Sequence, residues 1–227
     1  MRAANPLVVA LDTSDAGAAE DLARRLAGWV GMVKVGLELF TAAGPDAVPR
    51  LSEHAPVFLD LKLHDIPTTA GRAARNAGRL GASMLTVHAL GGPEMVRAAV
   101  EGAAEGAGEA GAEPPAVVAV TVLSSLAEAA GASPASLAFE AVRAGARGVV
   151  VAGEEVKVVR EALGDEPVLV VPGIRPSGHR SNDHARTLTP VEALEAGADR
   201  LVVGRPITES PDPVGTAREI LREIGLG

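Results

Sequence analysis

The 227-residue chain contains no cysteine, which excludes disulfides, thiol nucleophiles and thiolate metal sites and fits a reducing, cytoplasmic setting. Tyrosine is absent as well, tryptophan occurs once, and aromatic residues make up 2% of the chain. A surface for stacking unpaired bases therefore has little to be built from. Basic residues number 21 against 29 acidic ones, a formal net charge of −8. A polyanionic backbone requires a basic face, so nucleic acid is not expected as a partner, although a pocket for a single phosphate is compatible with this balance. No apolar run approaches the ~20 residues that span a bilayer. Residues 1–6 carry no signal-type apolar core, so no membrane association is expected.

What remains is ordinary globular material. Hydrophobic residues are 47% and charged residues 22%, enough for one large core, and the length suits a single α/β domain over residues 1–227. Short Val/Leu/Ile-rich runs at 7–11, 32–37, 57–63, 84–88, 117–123, 148–152, 168–171 and 201–203 read as strands of a parallel sheet covered on both faces. Helical patterns lie between them. The first carries Leu22, Leu26 and Trp29/Val30 at helical spacing, with Thr13, Ser14 and Asp15 as cap candidates. Ser133-Pro134, Thr189-Pro190 and Asp212-Pro213 each place proline after a capping residue, and Thr189 with Glu192 forms a capping box. Gly81, Gly145 and Gly197 follow helical runs and precede strands, as left-handed C-caps do. The Ala/Gly/Glu-rich run 101–113 is expected to be helical. Eight strands alternating with eight helices match a (β/α)₈ TIM barrel. An open doubly wound sheet is the competitor, but no G-x-G-x-x-G follows the first strand.

The stretch Val57-Phe58-Leu59-Asp60-Leu61-Lys62-Leu63-His64-Asp65 stands out. Asp60 and Lys62 interrupt an apolar strand, and period-2 geometry places them on one face roughly 7 Å apart along the chain. Charges there cost several kcal/mol each unless paired. A structural ion pair is the bland reading, but a third charge, Asp65, just past the strand end favours a site. In a barrel, chemistry gathers at the C-terminal strand ends. Asp12, Lys34, Glu38, Asp60, Lys62, Asp65, His88, Ser124, Pro172 to Arg175, Gly204 and Arg205 all fall at or near those ends. Singly each has a dull explanation: a helix cap for Asp12, a satisfied core histidine for His88, a solvated Glu38. Gly204-Arg205 and Gly173-Ile174-Arg175 follow the last two strands, where barrels commonly hold phosphate and where arginine offers a bidentate grip.

The segment Asp60-Leu61-Lys62-Leu63-His64-Asp65-Ile66-Pro67 resembles the signature of the orotidine 5′-monophosphate decarboxylase family. Ala10-Leu11-Asp12, Lys34-Val35-Gly36, Val87-His88-Ala89, Val120-Thr121-Val122-Leu123-Ser124, Pro172-Gly173-Ile174-Arg175-Pro176 and Val203-Gly204-Arg205-Pro206-Ile207-Thr208 resemble further family segments in the family's order. The resemblance implies a homodimer of (β/α)₈ barrels that converts orotidine monophosphate to uridine monophosphate and carbon dioxide, without metal or organic cofactor. It implies an alternating array of Lys34, Asp60, Lys62 and Asp65, the last donated by the partner subunit, with Lys62 protonating C6 as carbon dioxide leaves. Asp12 and Lys34 would bind the ribose, Ile66 and Thr69 would reach in from the partner, Ser124 would read the pyrimidine amide edge and Pro172 would line its apolar side. Arg175, Gly204 and Arg205 would hold the phosphate. His184 stands where the family usually has glutamine, and its part in phosphate binding would depend on pH near neutrality. Mg²⁺-dependent phosphosugar decarboxylases and aldolases of the same barrel group, which also use Asp-x-Lys-x-x-Asp, are the alternative, and a non-catalytic phosphate-binding barrel is another.

Overall fold

The computed structural model describes residues 5–121, 133–153, 155–177 and 187–226. Eight parallel strands close into a barrel in sequence order: β1 (Leu7–Ala10), β2 (Met32–Gly36), β3 (Val57–Leu63), β4 (Met84–His88), β5 (Ala116–Val120), β6 (Gly148–Val150), β7 (Val168–Val171) and β8 (Arg200–Val203). The ring closes through β1 and β8, with Leu7, Val8 and Val9 in register with Leu201, Val202 and Val203. Closure leaves no sheet edge, so the open doubly wound alternative is excluded.

All eight expected strands are present; those at 57–63, 84–88 and 168–171 keep their expected bounds, and the others shift at one end or both. The first stops at Ala10 and leaves Asp12 two residues beyond the ladder. The second yields Leu37 to the helix Leu37–Ala43, and the sixth ends at Val150. The fifth ends at Val120, and residues 122 and 123 lie outside the described part of the chain. The helical layer is more divided than eight simple helices. Two short ones, Leu37–Ala43 and Ala47–Ser52, fill the β2–β3 crossover, and Arg205–Thr208 precedes the last helix, Pro213–Glu223. The first helix ends at Leu26. Trp29, expected on it, lies beyond and is half-exposed, with the Arg218 guanidinium 4.9 Å from its ring centre.

Local chemistry sets these boundaries. Asp15 caps the first helix by accepting from the Ala18 N–H at 3.0 Å. Thr189 and Glu192 form the reciprocal capping box, with prolines at the first helical position after Ser133, Thr189 and Asp212. Gly81, Gly145 and Gly197 all adopt positive φ at the helix exits, where a side chain would be strained. At the N-terminal face Arg160 ties helix to sheet. It donates to Asp199 (2.5 Å) and to the carbonyls of Gly164, Pro167 and Gly197, and Asp199 also accepts from the Leu169 N–H.

Two apolar layers result. Odd-numbered residues such as Leu7, Val9, Val33, Leu59, Leu85, Leu169 and Leu201 face the helices, and the barrel interior is filled by Val8, Met32, Phe58, Met84, Val118, Val170 and Val202. Strand alternation then dictates what lies above that floor. Two residues further along stand Ala10 on β1, Lys34 on β2, Asp60 on β3 and Thr86 on β4, with Pro172 past β7 and Gly204 past β8. The polar ring is the next turn of the pattern that builds the core.

Candidate active site

A cavity of about 320 Å³ opens above the floor. Phe58, Val150, Val170 and Val202 form its base, and Asp12, Lys34, Asp60, Pro172, Gly173, Arg175, Gly204 and Arg205 its walls.

The charged cluster occupies the β1–β3 side. Lys34 Nζ donates to Asp12 Oδ1 at 3.0 Å and lies 3.5 Å from Asp60 Oδ2. Lys62 Nζ sits 2.8 Å from each Asp60 oxygen. Asp60 is thus a nearly buried carboxylate between two ammonium groups, and the chain Asp12–Lys34–Asp60–Lys62 alternates in sign throughout. Asp12 is exposed, and burial of Lys34 and Asp60 is tolerable because each has an opposite charge within contact. Gly36 backs the cluster: a Cβ there would stand 3.0 Å from Lys34 Nζ and 3.2 Å from Asp12 Oδ1, so a larger residue would push into the pair.

The pairing of Asp60 with Lys62 is not that of a regular strand. Side chains still alternate, since Leu61 and Leu63 pack outward against the core. The ladder to β4, however, jumps from Leu59↔Leu85 to Leu63↔Val87. Asp60, Leu61 and Lys62 therefore face Thr86 alone. Lys62 has φ 51°, and among the described residues it is the one non-glycine with left-handed backbone, a conformation costing of order 1–3 kcal/mol that clusters at functional sites.

Asp65 does not join the cluster within its own chain. It is exposed, and its Oδ1 accepts from the Ile66 N–H at 2.7 Å. Ile66 is 66% exposed, a large apolar side chain beside the barrel mouth, and Thr69 is exposed on the helix Pro67–Arg79 that follows. His88 is the satisfied core histidine of the bland reading. It is buried, stacks on His64 with ring centres 5.0 Å apart, and accepts from the Leu90 N–H at 3.4 Å through Nδ1. Burial first, then His64 and Lys62, push its pKa below the ordinary histidine value. Glu38 lies exposed in the first turn of its helix, away from the charged chain.

Across the ring, Arg175 follows β7 and is fixed by its backbone N–H donating to the Leu188 carbonyl at 3.0 Å. Its guanidinium is held below the usual arginine range by burial and by the neighbouring Arg205, with Glu209 opposing. Neither arginine has an ion-pair partner within 4.0 Å among the described residues, and two adjacent guanidinium groups facing a cavity suit a dianion. Gly204 lines the same wall, and a Cβ there would meet only Ala10 and Asp12 at 3.7 and 4.0 Å. Ser124 and His184 lie outside the described residues. Thr86 was not among the expected site residues. It shares the inward face of β4 with Met84 and His88, and a threonine in an apolar strand carries no signal that sets it apart from an ordinary β-residue.

The arrangement can hold a phosphate at one wall and present alternating charges to a polar ring at the other, over an apolar base. Residues 5–220 match the orotidine 5′-phosphate decarboxylase / HUMPS family. The chain is 51% identical to an orotidine 5′-phosphate decarboxylase of Anaeromyxobacter dehalogenans, over 97% of this chain and 98% of the relative. It is 47% identical to that of Moorella thermoacetica, over 100% of this chain and 94% of the relative. The crystal structure of orotidine 5′-phosphate decarboxylase from Lactobacillus acidophilus superposes with a TM-score of 0.84 at 37% identity, covering 97% of this chain and 99% of that one.

Proposed function

The chain belongs to the orotidine 5′-phosphate decarboxylase / HUMPS family, and from that premise we propose how its barrel mouth decarboxylates orotidine 5′-monophosphate. The activity is that of a carboxy-lyase of pyrimidine biosynthesis, yielding uridine 5′-monophosphate and carbon dioxide. Breaking the bond to the carboxylate leaves its electron pair at C6, in the ring plane, where the π system cannot delocalise it. Stabilisation must be electrostatic, and fixed charges in a water-poor site supply it without reorienting. Lys62 places its ammonium at C6 and gives up a proton there as carbon dioxide departs. Asp60 lies beside the substrate carboxylate with Lys34 and Lys62 on either side of it, and Asp65 of the partner subunit stands near the Lys62 ammonium and holds it in place.

Arg175, Arg205 and the Gly204 backbone grip the phosphate, Asp12 and Lys34 take the ribose hydroxyls, and Pro172 lines the pyrimidine's apolar edge. Ser124 reads the amide edge and His184 assists at the phosphate. Binding energy at the phosphate, remote from C6, contributes to catalysis by fixing the ring against the charges. Asp65, with Ile66 and Thr69, serves the neighbouring barrel of a homodimer. Its exposure and lack of contact with its own Lys62 support that assignment. Residues 1–227 act as one barrel domain, in the cytoplasm; no helix among the described residues is long and apolar enough to cross a membrane.

One observation carries this reading over the Mg²⁺-dependent alternative: Asp60 is flanked by ammonium groups at 2.8 and 3.5 Å, so a divalent ion would have to displace a cation to reach it. The test is a spectrophotometric assay of orotidine 5′-monophosphate consumption with and without chelator. Turnover should survive the chelator, and Lys62→Ala and Asp65→Ala should each abolish it. Mixed together, the two inactive proteins should recover partial activity, since some heterodimers carry one intact site. Chelator-sensitive turnover, or no recovery on mixing despite subunit exchange, would refute the metal-free and shared-site readings respectively.

A further inference from the structure

We infer that Thr86 is a positioning residue for the decarboxylation, its hydroxyl setting the Lys62 backbone and the Asp60 carboxylate in one stroke; this rests on the function proposed above. Thr86 is completely buried on β4. Its Oγ1 accepts from the Lys62 N–H at 2.7 Å and donates to Asp60 Oδ1 at 3.0 Å. The directions are forced. An ionised carboxylate only accepts and an amide N–H only donates, so a hydroxyl is the simplest group that can link them, with its one proton committed to Asp60.

The location is as telling as the bonds. Where the β3–β4 register slips, Thr86 is the single β4 residue opposite Asp60, Leu61 and Lys62. The regular ladder cannot satisfy the Lys62 amide there, and a lysine at φ 51° stays in that conformation only if its surroundings hold it. The Thr86 side chain takes the ladder's place. The same oxygen that accepts the 2.8 Å bond from Lys62 Nζ, Asp60 Oδ1, receives the Thr86 proton. Backbone and ammonium of Lys62 are therefore referenced to one point. Thr86 does not line the cavity, so it acts through Lys62 and Asp60 and not on the substrate.

Thr86→Val keeps the shape and removes the hydroxyl. It should lower kcat roughly 100-fold, the scale of a 1 Å misplacement of a reacting group, while KM and the affinity for uridine 5′-monophosphate stay within about threefold because the phosphate grip is distant. Thr86→Ser restores the hydroxyl and should return kcat to within about threefold of wild type. Thr86→Ala carries the same expectation as Thr86→Val and covers the case in which the valine variant does not fold. A purely structural role predicts a different pattern, a lower melting temperature with kcat intact in the folded fraction. Wild-type kcat in Thr86→Val or Thr86→Ala, or a loss in Thr86→Ser as deep as theirs, would overturn the inference. Absence of wild-type turnover would instead remove the functional reading beneath it, so the two failures are distinct.

Discussion

Lys62 approaches both oxygens of Asp60 at 2.8 Å while Lys34 stands 3.5 Å from the second of them. The carboxylate is the hinge of the array: without it, two ammonium groups would face each other across a nearly buried gap. Asp60→Asn keeps the size but removes the charge and replaces one acceptor oxygen with a donor. The lysines then repel, and Lys62 loses its bidentate anchor. We expect kcat to fall by at least about 100-fold, the cost of removing one preorganised electrostatic group. Steady-state assays of orotidine 5′-monophosphate turnover check this, and an Asp60→Asn enzyme within tenfold of wild type would show that the array is not organised around that charge.

At the opposite wall, Arg205 acts against the charge of Arg175, with Glu209 as the one carboxylate opposing it among the described residues. A bound phosphate would relieve that repulsion. Arg205→Ala should therefore lower kcat/KM for orotidine 5′-monophosphate by about 10- to 100-fold, the worth of a charge-assisted contact. The nucleoside orotidine, which lacks the phosphate, provides the control. Its kcat/KM should be unchanged by the substitution, and an equal loss for both substrates would place Arg205 elsewhere in the mechanism.

His88 gives the molecule a pH signature independent of catalysis. Its pKa is depressed by burial, His64 and Lys62, so between the folded and unfolded values the unfolded chain binds the extra proton. Stability from this group is fully present above the unfolded histidine value of about 6.5 and is lost as pH falls below it toward the folded value. The slope is at most about 1.4 kcal/mol per pH unit. Urea unfolding at pH 7.5 and 5.5 should show a larger loss for wild type than for His88→Gln. Equal losses would mean that His88 titrates alike in both states.

Most of this architecture is legible in the amino-acid sequence. Apolar runs located all eight strands because a parallel barrel buries both faces and leaves little ambiguity of period. Asp60, Lys62, Lys34 and Asp12 were legible because charge beside an apolar strand is expensive and so conspicuous. Thr86 was not, because threonine is a good strand former and Met84-Leu85-Thr86-Val87 reads as an ordinary β-sequence. Nor was the slip opposite it, since the pairing of Leu63 with Val87 depends on how two strands separated in sequence meet. Trp29 was misplaced for a local reason: the helix pattern continues through Leu22 and Leu26, but Gly28 at φ 80° ends it.

The helices Pro67–Arg79 and Gly92–Ala110 test how packing reaches the site, since the first begins directly after Asp65 and Ile66. They approach through glycines. A Cβ added at Gly106 would overlap the Arg75 carbonyl oxygen, and one at Gly102 the Gly71 carbonyl oxygen. Helix propensity alone favours Gly106→Ala by about 1 kcal/mol, but a backbone atom cannot swing aside, and overpacking costs typically 1–3 kcal/mol or more. The clash should win, with Gly106→Ala destabilised by about 1–2 kcal/mol in urea unfolding. Gly108 lies on the same helix with nothing within 4 Å of an added Cβ, so Gly108→Ala shows the propensity term unopposed and should stabilise by up to about 1 kcal/mol. If both substitutions stabilise, the close approach of these helices is not a constraint, and the loop bearing Asp65 must be held by other contacts.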